Sequence, residues 1–335
     1  MFAETIDPQH EFRHRPDGSA NYNESTYYNF ASASTGIVGW VRAAVQQNRS
    51  AAQSTALIFL PDGRTLAAFE KAAAIPPDAF EVGSLAIEID EPHARQRLTF
   101  TGDMSEFTEP RALSDPGAAL RAAPKVGVAL RFEVAGDGMS FGTDGNDPAH
   151  VLEDSLAVGH YEQFVRVGGE LRVGDRSYPM AGGGLRDHSW GPREWSGLRY
   201  HRWVTAILDD GSAVMALEVS RHDGGLTRRA AVVSDGVTAE ATLDDLRLDW
   251  TPDGFGRRVD CALRAPAGAF RLTGTVRRPE QFVPLRHVTA AADGTRAITR
   301  IGYSAYEFGT DDGRHGLGIV EILDQLVDGR PIGMP

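Results

Sequence analysis

The sequence predicts an all-β protein built from two successive halves. Three observations carry this. Helical periodicity is scarce. Short runs of alternating or β-branched residues recur along the chain. Asp-Gly and Gly-Gly pairs cut those runs at close intervals. Many strands at short spacing point to a sandwich or barrel. A length of 335 residues fits two domains or one large one.

The strands are placed by their turns. Ala56-Leu57-Ile58-Phe59-Leu60 runs into Pro61-Asp62-Gly63 and then Thr65-Leu66-Ala67-Ala68-Phe69. Tyr200 to Leu208 runs into Asp209-Asp210-Gly211 and then Ala213 to Val219. Asp-Gly tolerates the positive φ of tight turns, so each pair of runs predicts a hairpin. Tyr28-Asn29-Phe30 followed by Gly39-Trp40-Val41-Arg42 is echoed weakly by Trp203 to Leu208 followed by Val214 to Val219. The echo sits about one domain length away, as a duplicated barrel would place it. The boundary is expected near residue 155, after the Gly/Asp-rich stretch Gly142 to Pro148. That gives an N-terminal half over 1–155 with an extended arm, and a C-terminal half over 156–335 that carries the Arg186–Pro192 segment. Pro116 to Ala123 is expected to be an irregular turn, and Asp324 to Val327 is a short helical candidate.

Composition narrows the function. The net charge of -12 and the lack of a dense Lys/Arg run disfavour nucleic acid and anionic membrane surfaces. Cys261 stands alone, so no internal disulfide can form. Met1 to Pro8 has neither a basic nor an apolar leader region, and no apolar run approaches the roughly 20 residues that span a bilayer. No integral membrane segment and a cytoplasmic location are therefore expected. No P-loop or Rossmann fingerprint follows a strand, so no nucleotide cofactor is expected.

Two literal motifs are discounted. His10-Glu11-Phe12-Arg13-His14 reads HExxH, but Pro8 and Pro16 bracket it and no third ligand follows at family spacing. An exposed or docked arm is expected, with no metal. Gly138-Met139-Ser140-Phe141-Gly142 reads GxSxG, but loop residues and no βα alternation surround it, so Ser140 is expected in a hairpin or loop.

The densest chemistry is Arg186-Asp187-His188-Ser189-Trp190-Gly191-Pro192. His160-Tyr161-Glu162-Gln163 stands before it, and Trp195 and Tyr200-His201-Arg202-Trp203 after it. Such a mixture is costly to bury unless it is mutually hydrogen-bonded. With Asn23-Glu24-Ser25, Gly39-Trp40-Val41-Arg42 and Leu60-Pro61-Asp62-Gly63-Arg64, this stretch resembles a lipocalin-like superfamily. Its members include the carotenoid 1,2-hydratases (hydroxyneurosporene synthases), AttH-like proteins and tocopherol cyclase. The likeness is strongest to a bacterial branch with an RDHSWGPR-type core. The resemblance spans most of the chain. It implies two consecutive lipocalin-like (calycin-type) β-barrels with a ligand cavity between or inside them. It also implies Asp187 as the natural proton donor to a prenyl double bond.

The residues support that chemistry independently. Protonating an alkene needs an acid kept protonated near neutrality, which desolvation achieves. Aromatic faces can stabilise the resulting cation. The candidate catalytic residues are Asp187, His188 and His201. Trp190, Trp195, Trp203, Tyr161, Tyr200 and Glu321 are candidates to line the substrate. In an extended segment, Asp187 and Ser189 point one way and Arg186, His188 and Trp190 the other. Partners for Asp187 or His188 must therefore come from other strands, with His160, Tyr161, Glu162, Tyr200, His201 and Glu321 as candidates. The expected function is a cofactor-free hydratase, cyclase or isomerase acting on an apolar, isoprenoid or steroid-like small molecule. The alternative is a non-catalytic carrier of such a ligand. The sequence does not fix the oligomeric state. Elemental analysis should find no stoichiometric zinc, and zinc that disappears on His10→Ala would refute this reading of the HExxH motif.

Overall fold

The computed structural model describes residues 6–73, 79–143, 145, 157–290 and 296–335. The first sheet begins with β1 (Tyr22–Ser32), β2 (Ile37–Gln46), β3 (Ala51–Phe59) and β4 (Thr65–Ala72). It continues through β5 (Phe80–Val82), β6 (Leu85–Glu91), β7 (Arg95–Phe107) and β8 (Lys125–Gly136). β9 (Phe141–Thr143), β10 (Gly159–Val173) and β11 (Arg176–Pro192) complete it. The paired order is β4-β3-β2-β1-β11-β10-β8-β7, and β7 pairs back onto β4, closing an eight-stranded barrel.

The second sheet opens with β12 (Leu198–Leu208), β13 (Ala213–Arg221), β14 (Leu226–Ser234) and β15 (Val237–Trp250). β16 (Gly256–Ala265), β17 (Gly268–Val276) and β18 (Val283–Ala290) follow. β19 (Arg296–Thr310), β20 (His315–Val327) and β21 (Arg330–Pro331) end it. β19 pairs with both β17 and β20, so this sheet also returns on itself. The all-β architecture read from the sequence is the architecture observed.

The predicted hairpins form. Phe59 pairs with Thr65 across a turn in which Gly63 has φ 100°. Ile207 pairs with Ala213 across a turn in which Gly211 has φ 84°. The two echoed segments occupy matching places: β1 lies between β2 and β11, and β12 lies between β13 and β20. Both helix expectations need correction. Residues Pro116–Ala122 form a helix, α1, because Asp115 accepts from the Ala118 amide at 3.1 Å and Pro116 opens the first turn. Asp324 to Val327 is the end of β20, paired to its neighbours rather than helical. The expected boundary near residue 155 lies outside the described residues. On either side of it, β9 and β10 are paired in one sheet, and the chain passes to the second sheet over 193–197. The Arg186–Pro192 segment is thus a strand of the first barrel.

Three cores result. The first barrel's interior holds Tyr28, Val41, Phe100, Phe132 and Leu171. The second's holds Val204, Ala216, Cys261, Tyr306 and Ile322. A third lies between them and takes the alternate residues of the same strands, Tyr27, Trp40, Trp203, Leu217 and Ile319. Strands that serve two cores are covered on both faces; every residue of β1 is buried, its polar ones included.

Glycines permit the closest strand approach. A Cβ at Gly184 would lie 1.9 Å from the Asn29 carbonyl oxygen, and one at Gly318 would lie 1.9 Å from that of Thr205. The two sites match across the duplication, and Asn29 Nδ2 donates to Thr205 Oγ1 at 3.2 Å, joining the barrels there. Gly318→Ala is expected to cost about 3 kcal/mol or more, because backbone must move. Gly168→Ala, where a Cβ would meet nothing within 4 Å, should be close to neutral by denaturant titration.

Candidate functional site

Between the barrels the third core is incomplete. It leaves a cavity of about 810 Å³. Its walls follow from strand alternation. Tyr27 on β1, Trp40 and Arg42 on β2, His160 and Glu162 on β10, and Asp187 and Ser189 on β11 line one side. His201 and Trp203 on β12, Leu217 on β13, Tyr303 on β19 and Glu321 on β20 line the other. The geometric expectation for residues 186–190 is met: Asp187 and Ser189 reach the cavity, and Arg186, His188 and Trp190 do not.

The polar groups of the cavity are assembled across strands. Glu162 stands opposite Asp187 in the β10–β11 register. His160 Nε2 lies 3.3 Å from Asp187 Oδ2. Burial alone would lower the His160 pKa, but the hydrogen bond and charge of Asp187 outweigh it and hold the imidazole above its ordinary value. Glu162 behaves differently. Burial pushes its carboxyl up to about 7, against the pull of His160 and with the help of the Asp187 charge. Its Oε1 is buried and has no hydrogen-bond partner among the described residues. Across the cavity, His201 Nε2 lies 2.6 Å from Glu321 Oε1, a charge contact without hydrogen-bond alignment. Burial, and next the Glu321 charge, raise the Tyr303 phenol well above its usual range.

Aromatic rings form the apolar lining. Trp40 packs on Tyr303 at 4.8 Å and on Tyr27 at 5.5 Å, and Tyr27 packs on Trp203 at 5.2 Å between centroids. Trp195 stacks on His287 at 5.1 Å, with the Arg193 guanidinium 5.3 Å from its ring. The indole nitrogens of Trp40 and Trp203 are buried without partners among the described residues.

The remaining candidates serve the other face of β10 and β11, where they hold the N-terminal segment. Glu11 pairs with the buried guanidinium of Arg186, lies 3.0 Å from His93 Nδ1, and accepts from the Tyr161 hydroxyl at 2.9 Å. His188 Nε2 lies 3.1 Å from Glu24 Oε1, which also meets His14 Nδ1 at 2.7 Å. Trp190 stacks on His14 at 3.7 Å. Burial would raise both carboxyls, but Arg186 and His93 bring Glu11 to about 2, and His14 and His188 bring Glu24 to about 2. His188, Trp190 and Tyr161 are therefore placed outside the cavity, because alternation turns them from it. Tyr200 is outside it too; its hydroxyl donates to Glu218 at 3.3 Å and its ring lies 4.4 Å from the Arg202 guanidinium.

The HExxH segment forms only a short 3-10 turn, Pro8–Glu11, and is docked. His14, Glu24 and His188 offer ligand atoms within 4.8 Å of one another, the one three-residue group able to hold a metal ion among the described residues. As drawn together here, those atoms satisfy one another by hydrogen bonds. Ser140 lies in a loop, with its hydroxyl 2.8 Å from His93 Nδ1. Of the site residues that sequence reasoning underweighted, Glu162 and His160 appear only as partner candidates, and Tyr303 not at all. The period-two offset from Asp187 was the available signal, but it does not say which strand lies opposite.

Glu162 carries a linkage prediction. Its folded pKa stands above the ordinary 4.5, at about 7. The folded state then binds the extra proton between those values, so stability is highest below the lower one and falls as pH rises through about 7. A shift of this size corresponds to roughly 3 kcal/mol. Glu162→Gln should abolish that decline in urea titrations from pH 4.5 to 8, and a parallel decline in both proteins would contradict it.

Several solved structures share this fold. An AttH-type protein from Nitrosomonas europaea matches with a TM-score of 0.58 at 14% identity, covering 95% of this chain and 96% of that one. CghA with bound Sch210972 matches with a TM-score of 0.54 at 13% identity, over 94% and 90%. Kievitone hydratase from Nectria haematococca matches with a TM-score of 0.52 at 12% identity, over 96% and 93%. No curated protein matches the chain in sequence. No helix among the described residues is long and apolar enough to cross a membrane. The sequence pattern of one family extends over residues 7–326, both barrels included, and the chain belongs to that family, DUF7064, described as a domain of unknown function.

Proposed function

We propose that this chain is an acid–base enzyme of the hydratase, cyclase or isomerase type, working without a cofactor on a small, largely apolar molecule of isoprenoid or steroid-like dimensions. One observation carries the reading: a buried carboxyl, Glu162, faces an aromatic-lined cavity with its Oε1 free of any hydrogen-bond partner among the described residues, and it remains partly protonated near neutral pH. The likeness to kievitone hydratase and to ligand-bound CghA supports the same class.

In this mechanism the Glu162 carboxyl gives its proton to one carbon of a double bond. Positive charge develops on the neighbouring carbon, where the faces of Trp40, Trp203 and Tyr303 can stabilise it. Water adds to that carbon, and the proton it releases returns to the Glu162 carboxylate, so the enzyme ends as it began. Loss of a neighbouring proton, or attack by a second double bond, would give isomerisation or cyclisation instead. Burial keeps Glu162 protonated, and Asp187, held by His160, adds like-charge repulsion and is the positioning residue. His201 and Glu321 orient the far end of the ligand. This assigns the proton to Glu162 rather than to Asp187, whose carboxylate already has an imidazole partner.

Mass spectrometry of the compound that travels with the purified protein would identify the ligand. Incubating it in heavy-oxygen water should then yield product carrying one heavy oxygen. Glu162→Gln should slow this by about 10²–10⁴-fold, the usual cost of losing a general acid. Turnover should also fall as pH rises above about 7, as Glu162 loses its proton. Asp187→Asn should shift that limb to lower pH. Product without heavy oxygen would make the enzyme a cyclase or isomerase. A bound compound returned unchanged would make the chain a carrier.

A further inference from the structure

Arg42 lies in the middle of β2, opposite Tyr27 and Thr55 in the paired strands. From Ile37 to Val45 it is the only residue of that strand not fully buried, and the opening beside it is the cavity. No hydrogen bond or ion pair engages its guanidinium among the described residues. Other buried arginines differ. Arg186 has Glu11 and Gln163, Arg202 has Asp324, and Arg300 donates to the Gly254 carbonyl. The cavity carboxylates nearest in kind are committed elsewhere, Asp187 to His160 and Glu321 to His201. An unpaired guanidinium in a dry site is expensive, and a ligand that pairs with it would recover that cost.

Asp187 and Glu321 act on Arg42 through their charge, yet cationic side chains outnumber carboxyls in the lining. Among the described lining residues, Arg42, Lys71, Arg193 and Arg286 are cationic, against Asp187 and Glu321, with Glu162 titrating near 7. The whole chain, by contrast, carries -12. Burial first, then the charges of Arg42 and Arg193, hold the His287 imidazole down at about 4, so it reaches the cavity as a neutral hydrogen-bonding group.

We propose that the molecule bound between the barrels carries an anionic oxygen group, a carboxylate or an acidic enol, and that Arg42 is the residue that binds it. This rests on the cavity being the functional site. The anionic end is anchored by Arg42, which planar bidentate pairing favours, while the apolar body lies against Trp40, Trp203 and Tyr303. The double bond is thereby delivered toward Glu162 in a fixed orientation.

Two fluorescent probes that differ by one charged group test this: anilinonaphthalene sulfonate and its neutral counterpart phenylnaphthylamine. Wild-type protein should bind the sulfonate at least tenfold more tightly. Arg42→Gln should remove that preference and leave phenylnaphthylamine binding unchanged, whereas Leu217→Trp, which fills the cavity, should weaken both. Arg42→Met should melt at a higher temperature than wild type in the absence of ligand, since it removes an unpaired buried charge; a lower melting temperature would mark Arg42 as scaffold and overturn the assignment. Equal binding of the two probes, both weakened by Leu217→Trp, would overturn the anion inference while leaving the cavity reading intact. Failure of both probes to bind, or indifference of both to Leu217→Trp, would overturn the cavity reading and this inference with it.

Discussion

The packing of one barrel's outer face on the other's governs the rest of this structure. A barrel with a filled interior normally turns its outward residues to water. Here the outward residues of β1, β2, β12 and β20 are Tyr27, Trp40, Trp203 and Ile319, and they form a core of their own. The middle of each such strand is covered on both sides, so most of its side chains are desolvated. Apolar residues gain from this, at about 25 cal/mol per Å² removed from water. Polar residues on the same faces must find partners or face an opening. The cavity is that opening, and its polar lining consists of the residues that alternation left facing it.

This explains why an opening with polar lining lies between the barrels rather than inside either one. Interiors are closed by Phe100, Phe132 and Leu171 in one half and by Val204, Cys261 and Tyr306 in the other. Between the halves, Asp187 and Glu321 each have an imidazole nitrogen within 3.3 Å, whereas His160 acts on Glu162 through its charge. Burial keeps the Glu162 proton up to about pH 7, because desolvation outweighs the pull of that imidazole.

The opposite face of β10 and β11 illustrates the other use of buried charge. Arg186, Glu11, Tyr161 and His93 pair with one another, as do His188, Glu24 and His14. Their cost of burial is offset by mutual pairing, and their effect is to dock the N-terminal segment on the first barrel. The HExxH pattern takes its place there: Glu11 is an ion-pair partner, and the two histidines stack against Trp190. A motif that is catalytic on a helix becomes a clasp when the helix ends after one short turn.

The sequence alone determined the strands. Their alternation, the Asp-Gly turns at Gly63 and Gly211, and the echo between the β1–β2 and β12–β13 hairpins are local properties, readable without knowing what lies opposite. It also determined that Asp187 and His188 face apart, because strand geometry requires it, and it singled out the chain segment in which the chemistry is concentrated. It could not supply strand pairing. That β10 joins the first barrel, that Glu162 stands opposite Asp187 while His160 supplies its partner, and that Arg42 and Tyr303 approach the same cavity are contacts between residues far apart in the chain. Alternation gives each residue one of two sides, but only tertiary packing decided which side met solvent, which a filled core, and which the space between the barrels. Burial by that packing is what sets the protonation of Glu162, so the chemistry of the site is a property of the assembled pair of barrels and not of any one segment.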